Sequence, residues 1–200
     1  AYKNPVTSRR NTLRTIEVLY LPSALEEQQQ GNSDNTQRIK MLKEFEQKMK
    51  NELEELCIDL VKLVDEKILS RPSVEAEDRV FYEKMKGDFY RYICENRPRE
   101  EVEEFVNKAK QCYNDGLEIG KTELTSTSPT YLGLVLNYTV FLYDIMDLKE
   151  EATELSKKTF TDTTDIIDTM DDNSFTESSM ILSLLQENYH RWIQVENQEI

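Results

Sequence analysis

Lys3, Arg10 and Arg14 stand at i, i+7 and i+11, a spacing that puts three cations on one face of a helix. Lys84, Asp88, Arg91 and Glu95 form a second row at i, i+4, i+7 and i+11, with Tyr92 beside Arg91. An arginine flanked by Asp and Tyr can be held rigid by its neighbours, which suits two-pronged recognition of a phosphate. Taken singly, the first row also reads as a solvated helix face and the second as a structural ion-pair network. Asn137 shares a face with Gly133, Val140 and Asp144 in a segment that is otherwise apolar. Asn188 sits in the same way with Met180, Leu184 and Trp192, Ile181 and Leu185 lying alongside. A carboxamide so placed must spend its donor and acceptor on a neighbouring helix or on a peptide backbone crossing it. Two such helices suggest a groove with paired backbone clamps, while the Met and Leu stripe by itself reads as core.

Only helices can carry these rows. Five Gly, five Pro and 32% charged residues favour long helices over turn-rich β architecture. The spacing predicts seven: about 2–20, 36–69, 73–95, one running to about 124, and three opening near 129, 147 and 174. Glu26 to Asn35 reads as a solvated loop. The second helix carries a seam of Leu42, Phe45, Met49, Leu53, Leu56, Leu60 and Leu63, stepping by about 3.5 residues. Glu44–Lys48 and Glu46–Lys50 would support its solvent face. That seam suits packing on neighbouring helices, with coiled-coil pairing as the alternative. Ser73 is read as the N-cap of the third helix and Ser128-Pro129 as cap and first residue of the fifth. Asp147 with Glu150, and Ser174 with Glu177, read as capping boxes for the last two. Short connections make most neighbours antiparallel. The expected fold is an all-α antiparallel array in a single domain over 1–200, with 193–200 as a C-terminal tail.

Several function classes are excluded. A net charge of −14 argues against general nucleic-acid binding, although Lys3, Arg9, Arg10 and Arg14 all precede the first acid, Glu17. Cys57, Cys94 and Cys112 are widely spaced and read as buried reduced thiols. With His190 as the sole histidine, no metal site is predicted. No stretch approaches a membrane span, and no signal peptide is visible. Phosphate loops, HExxH and GxSxG are all missing from the sequence, so no catalytic residue and no cofactor are assigned and the protein reads as a non-enzyme.

The block Lys84–Tyr92, KMKGDFYRY, together with LGLVLNYTVFLYDI and SLLQENYHRW, resembles the 14-3-3 proteins in order and spacing, over nearly the whole chain. That resemblance implies a cup of nine antiparallel helices, of which this sequence holds seven and lacks the first two. Helices one, three, five and seven would line its concave groove. It implies phosphate binding by Lys3, Arg10, Arg91 and Tyr92, and bonds from Asn137 and Asn188 to the ligand's main chain. Leu136, Val140, Ile181, Leu184 and Trp192 would form an apolar wall, with Lys84, Asp88 and Asp144 in support. The implied partners are phosphorylated client proteins held as extended segments, with no nucleic acid and no membrane span. The location it implies is cytoplasmic, with the nucleus a second compartment. The natural chain would form a homo- or heterodimer, and these 200 residues alone would pair weakly or not at all. A helical scaffold that binds unphosphorylated partners through the apolar wall is the alternative. Departures from the family pattern are Pro5, expected to kink helix one or displace Lys3, Leu13 for a Trp, Thr12 for a Ser, Asp144 for a Glu and Met180 for a Leu.

Overall fold

In the computed structural model of the protein, residues 3–29, 35–167 and 172–196 are described. They form seven helical rods and no strand. The first rod, α1, joins an α-helix Lys3–Thr15, a π-helical turn Ile16–Tyr20 and an α-helix Leu21–Gln29. The second, α2, is an α-helix Asn35–Val64 closed by a π-helical turn Asp65–Leu69. Then come α3 (Ala76–Cys94), α4 (Arg99–Glu123), α5 (Pro129–Asp144), α6 (Lys149–Ile167) and α7 (Asp172–Glu196).

Several boundaries differ from the sequence reading, each for a local reason. The first rod does not stop at Leu21-Pro22. The Leu21 N–H bonds the Ile16 carbonyl, five residues back, so the backbone widens just before Pro22. A wider turn relieves the pressure a proline ring puts on the preceding carbonyls, and the helix continues through Glu26 to Gln29. Pro5 brings no break either, since the described residues are α-helical from Lys3 through Thr15. Ser73 does not cap α3. The helix opens after extended Glu75, which places Glu77 and Asp78 in the first turn where the helix dipole favours acids. Ser128 does cap α5, accepting the Tyr131 N–H at 3.4 Å, with Pro129 first in the helix. Asp147 is no cap, since its φ of 57° puts it in the left-handed region that Asp tolerates. The last rod starts at Asp172, so Ser174 lies inside it and its side chain falls outside the described residues. The same rod runs on to Glu196, so 193–196 are helix and not tail, and 197–200 are outside the described residues.

Consecutive rods pack on one another, and the alternate rods α3, α5 and α7 also touch. Two apolar clusters hold the array. One gathers Val80, Val106, Tyr113, Leu132, Leu134, Phe141, Leu185 and Trp192 from α3, α4, α5 and α7. The other gathers Val6, Leu13, Leu53, Cys57, Leu60, Val61, Phe89 and Ile93 from α1, α2 and α3. Burial of this kind is worth about 25 cal/mol per Å² of apolar surface, which is why the rods hold without turn or sheet scaffolding. The predicted seam of α2 is buried only in its middle. Leu53 and Leu60 are core, but the stripe then moves to Val61 and Val64 while Leu63 is exposed. A straight helix drifts about 20° per heptad from a strict seven-residue repeat, and that drift carries Phe45 and Leu63 outward. Lys50 does pair with Glu46, at 2.5 Å, but the pair is largely buried and turned toward α1, where Lys50 also meets Glu17 at 3.5 Å, and not on the solvent face. Glu44 meets Lys40 and Lys48 meets Glu52. The three thiols are buried, and burial pushes each up to about 12, which leaves them unreactive.

Candidate functional site

The polar row of α3 survives folding as a row, and α5 and α7 set matching rows beside it. Near one end, a Cβ on Gly133 would lie 3.7 Å from Lys84 Cε and 4.0 Å from Ile181 Cδ1. At mid-length, Asn137 Nδ2 donates to both Asp88 carboxylate oxygens at 2.8 Å. Toward the other end, Arg91 and Arg191 both act on the Asp144 carboxyl. The three helices therefore run side by side in one direction, in register. Asp144 is open to solvent, yet surrounding protein raises its pKa by desolvation, with the two arginines pulling it back down.

Arg91 is the centre of the cluster. It is buried, and bonds Glu95 Oε1 through Nη1 at 2.6 Å and Tyr113 Oη through Nε at 3.3 Å. Its Nη2 lies 3.5 Å from Asp88 Oδ1. Burial opposes its charge, but Tyr113, Asp88 and Glu95 together lift its pKa above the ordinary arginine value, so it stays cationic. Asp88 in turn accepts from Tyr113 at 2.7 Å and from Lys84 at 3.0 Å. From α1, Arg10 reaches the same place, donating Nε and Nη2 to the two Glu95 oxygens at 2.9 Å each. Its guanidinium carbon stands 3.7 Å over the Tyr92 ring, while that of Arg91 is 4.8 Å from it. One carboxylate and one aromatic face thus hold two guanidiniums together. A guanidinium has five N–H donors, so both arginines keep donors beyond those spent on Glu95, Tyr113 and Asp88. Desolvation and Asp88 raise the Tyr92 phenol, which therefore remains a proton donor.

The two asparagines are oriented in opposite senses. Asn137 turns its amide nitrogen to Asp88, leaving its oxygen to accept an N–H. Asn188 takes the Arg191 Nη2 donor on its oxygen at 2.7 Å, leaving its nitrogen to donate to a carbonyl. A peptide backbone offers both groups at every residue.

The structure places the remaining sequence-predicted residues unevenly. Leu136, Val140 and Ile181 are half-buried against the larger core cluster, and Leu184 is 47% exposed. Trp192 is not part of a wall, for it is 3% exposed and stacked on Tyr143 with ring centroids 4.5 Å apart. Its area is spent on the core. The Lys3 side chain lies outside the described residues. Sequence reasoning missed Tyr113, which comes from α4 and carries no local signal. It also left Glu95 out of the site, although its i+4 spacing from Arg91 was the signal. A cavity of about 670 Å³ between α1 and α2 is lined by uncharged side chains, including Thr12, Tyr20 and Phe45, and stands apart from this cluster. No group of His, Cys, Asp and Glu suited to a metal ion occurs among the described residues.

Comparison with known sequences decides the family. The sequence model of the 14-3-3 protein family matches residues 1–193. The chain is 35% identical over 192 residues to 14-3-3 protein homolog 2 of Schistosoma mansoni, covering 96% of this chain and 85% of that one. It is 37% identical to 14-3-3 protein beta/alpha of Xenopus tropicalis, covering 96% and 75%. Against 14-3-3-like protein 2 of Caenorhabditis elegans the figures are 35%, 96% and 73%. The chain belongs to the 14-3-3 family.

Within this 14-3-3 chain the glycine of KMKGDFYRY has a steric reason. A Cβ on Gly87 would fall 2.8 Å from the Tyr113 ring, and Tyr113 is fully buried and tied to Arg91 and Asp88. Gly87→Ala should therefore lower stability by about 1–3 kcal/mol, the usual cost of overpacking. Gly133→Ala, where the new methyl meets only ordinary contacts, should be neutral or gain up to about 1 kcal/mol of helix propensity. Urea unfolding of both variants checks the contrast, and equal effects would refute it.

Proposed function

We propose that this 14-3-3 chain is a non-enzymatic adaptor that clamps extended phosphoserine or phosphothreonine segments of client proteins and so masks or reshapes what they expose. The observation that carries this reading is the pairing of Arg10 and Arg91 on Glu95 and the Tyr92 ring, with donors of both left over. A phosphorylated side chain brings about −1.5 to −2 charges and three acceptor oxygens, which match two guanidiniums and a phenol. Asn137 and Asn188, one offering an acceptor and the other a donor, suit the backbone on either side. Lys3 and Lys84 add charge, and Leu136, Val140, Ile181 and Leu184 supply an apolar flank.

The deciding experiment titrates one peptide with and without its phosphate. Each charge-assisted hydrogen bond is worth about 1.5–3 kcal/mol, so the phosphate should tighten binding by well over about tenfold. Equal affinities would instead favour the scaffold reading, which the exposed Met180 and Leu184 would serve.

Binding should also depend on pH. The donors favour the phosphate dianion, so its second ionisation, near 6 when free, falls in the complex. A lowered pKa on binding gives affinity that is complete above the free value and lost as pH drops through about 6 toward 5. Tyr92 adds nothing to this curve, because its raised pKa keeps it protonated throughout. Isothermal titration at several pH values measures the effect, and flat affinity with the fold intact would refute dianion capture. We infer too that the protein pairs with a second 14-3-3 chain, for which Leu19, Tyr20, Met41 and Phe45 stand exposed on α1 and α2.

A further inference from the structure

The register of α5 and α7 leaves one group without a role in phosphate or backbone binding. Ile181, Leu184, Asn188 and Arg191 lie at i, i+3, i+7 and i+10, one face of α7. Its counterpart on α5 is the row Gly133, Asn137, Val140 and Asp144. These rows begin together at Gly133 and Ile181, and they end together at Asp144 and Arg191. Arg191 is exposed and bonds Asn188 Oδ1 through Nη2. Arg191 also acts through its charge on the Asp144 carboxyl, and among the described residues its hydrogen bond is to Asn188. Asn188 takes one of the guanidinium's five donors, and the exposure of Arg191 leaves the others accessible to a ligand.

We propose that Arg191 is a specificity-determining residue, selecting client segments that carry an acidic side chain where the peptide passes Asn188 toward the Asp144 end. This rests on the phosphopeptide reading above. In an extended segment, successive side chains point to opposite sides. An acidic residue facing α7 then meets Arg191, while its sequence neighbours face α5 and Asp144. Asn188 links this choice to the backbone clamp, because the arginine that reads the side chain also fixes the carboxamide that meets the main chain.

The test uses the full chain and a set of phosphopeptides, identical except that each flanking position in turn carries Glu, Ala or Lys. At one position the Glu peptide should bind the wild type about two- to fivefold more tightly than the Ala peptide, the range for an exposed ion pair. The Lys peptide should bind more weakly, and both differences should shrink as salt is added. Arg191→Gln keeps a donor for Asn188 without the charge and should abolish the preference. Arg191→Glu should invert it. Overturning results are a wild type with no preference for Glu at any position, or a preference that survives in Arg191→Gln. If phosphorylated and unphosphorylated Ala peptides bind the wild type alike, the underlying phosphopeptide reading fails as well. Absence of any charge preference in the wild type, with phosphate dependence intact, overturns only the role of Arg191.

Discussion

Arg91→Ala should weaken phosphopeptide binding by roughly 2–5 kcal/mol, the cost of truncating one member of a buried, hydrogen-bonded charge pair. The site has no spare for it. Arg91 is the only cation that touches Glu95, Tyr113 and Asp88 together among the described residues. Arg10, drawn in by the same Glu95, would lose its companion on the Tyr92 ring. Arg91→Lys should recover little of the affinity, since a single ammonium cannot span three partners in the guanidinium's fixed fork. Fluorescence anisotropy on samples verified as folded by circular dichroism measures both variants. An Arg91→Ala affinity within about twofold of wild type would show that the phosphate sits elsewhere.

Asp88→Ala should cost about 3–5 kcal/mol of folding stability, the range for breaking a buried charge cluster by deleting one partner. Asp88 is 6% exposed and accepts from Tyr113, Asn137 and Lys84, besides lying against Arg91. Removing it leaves the fully buried Tyr113 phenol without its acceptor and takes one carboxylate from the buried Arg91 guanidinium, which keeps Glu95. Asp88→Asn should cost less but still disturb binding, because its amide would present a donor to Asn137 and Lys84. Urea denaturation gives the stability change, and a loss below about 1 kcal/mol for the alanine variant would mean that Arg91 and Tyr113 are satisfied by other groups.

Much of this arrangement was legible in the residues, and what was not has a common cause. The rows at helical spacing on α3, α5 and α7 are functions of the sequence within one helix, so Lys84, Asp88, Arg91 and Asn137 could be put on the right faces. The 14-3-3 resemblance then supplied what spacing cannot, namely that separate helices face one another. Tyr113 escaped because its partners lie 22 and 25 residues away on another rod. Trp192 was misplaced because a helix that lines a groove also has a core side, and the two lie only a few tens of degrees apart. Helix ends were the weakest reading. Ser73 and Asp147 have the chemistry of caps, but the dipole's preference for Glu77 and Asp78 and the left-handed turn at Asp147 set the starts elsewhere. At Pro22, a rule that holds for regular helices failed because the preceding turn is not regular.

Glu95 lends the resting groove a different property. With its two oxygens shared between Arg10 and Arg91, the protein carries its own counter-ion where the two guanidiniums meet. A stray anion, such as free phosphate, a nucleotide or an acidic tail, finds no bare cation pair and must compete with a tethered carboxylate at very high local concentration. On the proposed phosphopeptide reading, a ligand that also lays a backbone along Asn137 and Asn188 would add the further contacts that compensate. On that reading the carboxylate would act as insulation, trading some affinity for a site that stays silent toward small anions.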